Sequence, residues 1–119
     1  MNNSASQLFD LSYLNQIFQG NTAMINSIIE MFLKQVPGYI EEMEQCVTDN
    51  KLKSLHPLAH KAKSSIAMLG LKRMEHLVLR IESSSKLEVD MDDLPHLVAS
   101  IRHECDTAYT ELNKILLSA

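Results

Sequence analysis

One apolar stripe limits what this chain can fold into. Ile25, Ile29, Phe32, Val36, Ile40, Met43 and Val47 follow one another at steps of four, three, four, four, three and four. Only an α-helix puts such a series on one face, and a strand would scatter it over both. The phase survives Pro37, so the spacing predicts one long helix, kinked at the proline, over two abutting ones. Asn21 supplies an N-terminal cap and Asp49-Asn50 a stop.

The same three-four pattern recurs along the chain. Asp10 can cap a short helix through Leu11, Leu14, Ile17 and Phe18, which Gly20 ends. Leu52, Leu55, Ala59, Ala62, Ile66 and Leu69 form a second long stripe, with Pro57 near its start and Gly70 as its stop. Leu71, Met74, Val78 and Ile81 mark a helix that is expected to fade at Ser83-Ser84-Ser85. An acidic loop, EVDMDD, follows. Leu94, Val98, Ile101, Cys105, Ala108, Leu112 and Ile115 carry the last helix. Glycine and proline number three each and aromatics make up 5% of the 119 residues, so nothing favours a sheet. Residues 1–119 are expected to form one all-α domain, an antiparallel four-helix bundle with a short additional N-terminal helix.

Several classes of function recede. No stretch is long and apolar enough to span a bilayer, and the opening MNNSASQ has no signal-peptide character, so a cytoplasmic protein is expected. The initiating methionine and one-domain length suggest a domain that works free and monomeric. Cys46 and Cys105 lack metal-type spacing and fall on apolar faces, which suits buried free thiols. The net charge of −4 conceals a basic region: Lys51 to Lys86 holds eight basic residues against two acidic ones, net +6. A local basic region on an acidic chain suits an acidic pocket of a protein partner better than nucleic acid.

His60 stands out against this frame. With Ala59, Ala62, Ile66 and Leu69 turned inward, His56, His60, Lys63, Ser64 and Ala67 share the outer face. Small residues at 64 and 67 keep the surface low around the imidazole, while Lys63 and Lys61 can hold negative charge. A neutral imidazole has one unprotonated ring nitrogen, and an ordinary value of about 6.5 leaves a usable neutral fraction near pH 7. With the lysines beside it, this makes a nucleophile-plus-cation arrangement to which a partner could bring a reacting group. His56 and His60 alone make a poor metal site, since no third ligand joins them on that face. His76, His96 and His103 are expected at the surface or its boundary, without chemistry. No glycine-rich nucleotide loop is present.

The run A-H-K-A-K-S-S-I-A-M-L-G, Ala59 to Gly70, resembles the signature of histidine-containing phosphotransfer (HPt) domains, commonly A-H-x-L-K-G-x-[SA]-x-x-x-G. The likeness extends over nearly the whole chain: a short helix ending F-Q-G-N, a long helix with E-M-F-L-K-Q-V-P, the histidine helix, a helix ending L-R-I-E, and a last long helix. It implies that His60 accepts a phosphoryl group from the aspartyl phosphate of a receiver domain and passes it to another. Lys63 then stabilises charge, Gly70 closes the motif, and Lys61, Ser64, Ala67 and His56 border the partner. Ser64 stands where the family usually has glycine and Ala62 where it often has leucine.

The implied partners are response-regulator receiver domains or a hybrid histidine kinase, with no nucleic acid and no membrane. The chain is expected to be a phosphocarrier without a cofactor or ATP site of its own, Mg²⁺ coming with the receiver. The alternative is a non-catalytic helical adaptor that docks the same partners without being phosphorylated.

Overall fold

A computed structural model describes residues 11–118, so Asp10, the expected first cap, lies outside the described residues. Five α-helices follow one another: α1 Leu11–Phe18, α2 Thr22–Thr48, α3 Leu55–Met68, α4 Lys72–Leu87 and α5 Leu94–Ser118, with single 3-10 turns at Leu52–Ser54 and Met91–Asp93. Connections 49–54, 69–71 and 88–93 are too short to run back along a helix, so successive helices are antiparallel. α3 packs between α2 and α4, and α5 closes the ring against α2 and α4; α1 packs on α2. The all-α bundle with its short leading helix is therefore as expected.

The caps explain why the helices begin and end there. Asn21 accepts a hydrogen bond from the Met24 amide at 3.1 Å, satisfying one of the unpaired donors of α2. At the other end Asn50 takes a left-handed conformation, φ 56°, and the Lys51 amide donates to the Cys46 carbonyl at 2.7 Å. α2 is continuous through Pro37, whose missing N–H removes one helical bond without breaking the rod. Pro57 falls in the first turn of α3, where a missing donor costs nothing. Gly70, at φ 67°, ends α3: its amide donates to Ala67 and that of Leu71 to Ile66.

The stripes meet in one core. Ile25, Ile29, Phe32, Val36, Ile40 and Met43 of α2 are buried against Leu55, Ala59, Ala62, Ile66 and Leu69, against Leu71, Met74, Val78 and Ile81, and against Leu94, Val98, Ile101, Cys105, Ala108 and Leu112. Val47, Leu52 and Ile115 lie at its margin. In α1, Leu14 is buried and Phe18 packs at the edge, while Ile17 faces outward. Cys105 is buried, and burial pushes its thiol up to about 12, whereas Cys46 is only half-buried, a correction to the expected pair of buried thiols.

A second correction concerns α4. It does not fade at the serine triplet but runs on to Leu87, because Ser85 is buried as part of the stripe and donates to the Leu52 carbonyl at 2.6 Å. That bond joins α4 to the turn preceding α3. Part of the expected acidic loop is the 3-10 turn Met91–Asp93.

Candidate functional site

The register of α3 against α4 places the site. Ala59, Ala62 and Ile66 are buried, which turns His60 out of the core with 66% of its side chain exposed. α4 lies along the same flank, and its Glu82, next to the core residue Ile81, reaches across. His60 Nδ1 is 2.8 Å from Glu82 Oε2. The Lys63 ammonium donates to both oxygens of the same carboxylate, at 2.9 and 3.2 Å. One acid thus clamps the two groups that the sequence singles out.

The clamp decides the chemistry of the ring. Burial opposes ionisation of Glu82, whose side chain is only 17% exposed, but hydrogen bonds from Lys63 and His60 outweigh it and hold the carboxyl below its ordinary range. An ionised carboxylate can only accept, so the proton of a neutral His60 sits on Nδ1 and is donated to Glu82. The lone pair is then on Nε2, directed away from Glu82. That is the geometry of an exposed nitrogen nucleophile.

The other expected residues fall out as follows. Lys61 and Ser64 are exposed, Ala67 and His56 half-buried, and Gly70 buried. His56 Nδ1 donates to the Lys53 carbonyl at 3.1 Å, so its ring is tied to its own helix start. Lys63 is less open than expected, 36% exposed, because Glu82 draws it against α4. His76, His96 and His103 are exposed and join no cluster around His60. Among the described residues no group of three or more His, Cys, Asp or Glu is placed to hold a metal ion.

Two features were not read from the sequence. Glu82 is twenty-two residues from His60, and only the packing of α3 on α4 joins them. Its position beside the stripe residue Ile81, four after Val78, is the one signal that could have marked it as facing a neighbouring helix. The +6 region is also less basic than it reads. Lys53 pairs with Glu88 at 3.5 Å, Lys63 with Glu82, Arg73 with Glu104 at 3.1 Å and Arg80 with Asp93 at 3.8 Å, three of these acids lying outside the segment.

Comparison with known proteins agrees with the geometry. The family model described as Hpt domain matches residues 27–113, which include α3, α4 and most of α2 and α5. Two curated relatives, both phosphorelay protein LuxU, from Vibrio vulnificus strains YJ016 and CMCP6, are each 27% identical over 84 residues, covering 69% of this chain and 73% of the relative. No helix among the described residues is long and apolar enough to cross a membrane.

Proposed function

Because this chain belongs to the Hpt domain family and is a histidine phosphotransfer carrier of two-component phosphorelays, not a kinase, we propose that His60 is the residue on which it accepts the phosphoryl group and that Nε2 is the bonding atom. The observation that carries this reading is the 2.8 Å contact of Nδ1 with Glu82, which keeps the proton on the buried side of the ring and the lone pair on the open side. Nε2 attacks the phosphorus of a receiver's aspartyl phosphate, the carboxylate leaves, and a second receiver later takes the group by the reverse step. Lys63 holds Glu82 ionised and oriented, and so supports the tautomer. Ser64 and Ala67 keep the approach low, while Lys61 and His56 border it.

Residues 1–119 act as one domain, in a single copy and in the cytoplasm, where the receiver partners or a hybrid kinase supply and collect the group. The protein needs no ATP of its own. Mg²⁺ belongs to the receiver, since the Glu82 carboxylate beside His60 is already committed to Lys63 and the imidazole. Reconstitution tests the proposal: an aspartate-phosphorylated receiver, this protein and a second receiver are mixed with Mg²⁺. Phosphate should reach the second receiver only when the protein is present with His60 intact. Transfer at the same rate without it would refute the carrier role of this residue.

A further inference from the structure

Lys63 is the cation that the motif assigns to the phosphoryl group, yet its ammonium is already held by both oxygens of Glu82. Within the cluster of Lys63, Glu82 and neutral His60, the charges cancel. Before transfer, that cluster offers no net positive charge to the oxygens of an approaching phosphoryl group, and the ring becomes positive only as the N–P bond forms. Two lysines nearby are exposed and have no ion pair or hydrogen bond among the described residues: Lys61 and Lys86.

These two point in different directions. Consecutive helical residues diverge by about 100°, so Lys61 leaves α3 well round from His60. Its flank is the one turned to α2, where Leu58, three residues earlier, shares a cleft with Glu42 and Cys46. Lys86 instead follows Glu82 by four residues, which puts it one turn further along the same flank of α4. Since α3 and α4 are antiparallel, that turn lies beside the first turn of α3, the turn of His56. The Ser85 hydroxyl on the Leu52 carbonyl and the pairing of Lys53 with Glu88 fix this register on either side of Lys86. Helical side chains lean toward the N-terminus of their own helix. His60 therefore leans toward the level of Lys86, and Lys86 toward the level of Glu82 and His60.

We propose that Lys86 is a second catalytic residue of this site, its ammonium meeting the oxygens of the phosphoryl group on His60 Nε2. The proposal rests on His60 being the acceptor. In the step, the Nε2 lone pair forms the N–P bond while the P–O bond to the receiver aspartate breaks, its electron pair leaving with the carboxylate. The Nδ1 proton stays on the ring against Glu82, so the product is a phosphorylated imidazolium. Negative charge that shifts between the aspartyl and phosphoryl oxygens during transfer faces Lys86, whose charge no carboxylate has claimed. The geometry splits the work: Lys63 serves Glu82, and Lys86 serves the phosphoryl group.

Single-turnover phosphotransfer separates this from docking and from failure of the acceptor assignment. Wild type, Lys86→Gln, Lys86→Arg and His60→Gln are each mixed with Mg²⁺ and increasing amounts of an aspartate-phosphorylated receiver, and separately with phosphoramidate, a small donor that needs no docking surface. Lys86→Gln should lower the limiting rate about tenfold with little change in the half-saturating receiver concentration, and should slow phosphoramidate labelling similarly. Lys86→Arg should recover most of both rates. A Lys86→Gln protein with the wild-type limiting rate, or slowed only through weaker receiver binding with normal phosphoramidate labelling, overturns the proposal. Labelling that persists in His60→Gln overturns the acceptor assignment itself, and is recognisable apart from any effect at Lys86. Lys86 is exposed and has no ion pair among the described residues, so its replacement should leave the circular dichroism unchanged.

Discussion

Glu82 Oε2 lies 2.8 Å from His60 Nδ1, and the same carboxylate holds the Lys63 ammonium at 2.9 Å, so a residue of α4 sets the protonation pattern of a residue of α3. The contact is what distinguishes His60 from the other exposed histidines of the chain.

Nitrogen NMR of the imidazole checks this directly. In neutral His60 the proton should reside on Nδ1, and Nε2 should give the shift of an unprotonated ring nitrogen. Glu82→Ala should redistribute the tautomers and slow phosphoryl transfer about tenfold, an effect of roughly 1.4 kcal/mol on the barrier. Glu82→Gln, whose side-chain oxygen can still accept from Nδ1, should fall between the two. An Nε2-protonated ring in the wild type would contradict the assignment.

Acid should weaken the protein partly through this same residue. The folded carboxyl of Glu82 is held low, since hydrogen bonds from Lys63 and His60 overcome its burial. A group with a depressed folded value contributes stability that is complete above its unfolded value, about 4.3, and is lost as pH falls through the folded one. Urea unfolding of Glu82→Gln should therefore depend less on pH than the wild type from about 5 downward. Parallel curves would mean that the clamp adds nothing to folding.

The bundle was legible in the sequence because burial in helices is periodic. Phe32, Ala62, Ile66, Val78, Ile101 and Ala108 are buried where their three-four spacing puts them, and His60 is exposed for the same reason. The spacing does not state which flank of one helix meets which flank of another. The spacing therefore gives no sign of Glu82, and it leaves Lys63 open where the structure partly covers it. The end of α4 was missed for a related reason: serine is a weak helix former in isolation, but Ser85 finds a buried acceptor in the Leu52 carbonyl. Paired acids from outside the basic segment escaped notice too, since Glu104 and Asp93 reach Arg73 and Arg80 only across the packed helices.

Ala62 stands where the family often has leucine, and the structure gives that difference a cost. The side chain has no exposure at all. Ala62→Leu should destabilise the bundle by about 1–3 kcal/mol through overpacking, while Ile66→Ala, which opens a cavity in the same stripe, should cost about 2–5 kcal/mol. Thermal or urea unfolding measures both. A stabilised Ala62→Leu protein would mean that the interface between α3 and its neighbours is looser than the burial indicates.

Docking should be electrostatic but modest. With Lys53, Lys63, Arg73 and Arg80 in ion pairs, exposed Lys61 is a principal charge left to meet an acidic receiver. Lys61→Glu should weaken receiver binding several-fold, about 1 kcal/mol, with a smaller salt dependence, whereas Lys114→Glu, far along α5, should do little. Titration calorimetry at two salt concentrations distinguishes them. Equal losses at both positions would move the docking face elsewhere.

Whether His60 carries the phosphoryl group is read straight from the chemistry of the label. The protein is incubated with an aspartate-phosphorylated receiver and Mg²⁺, and the product is treated with acid and with base. One phosphoryl group should appear on the wild type, lost in acid and stable in base as a phosphoramidate is, with none on His60→Gln although that variant folds normally. A His60→Gln protein that still accepts the group, or a wild-type label that survives acid and is lost in base, would contradict the account.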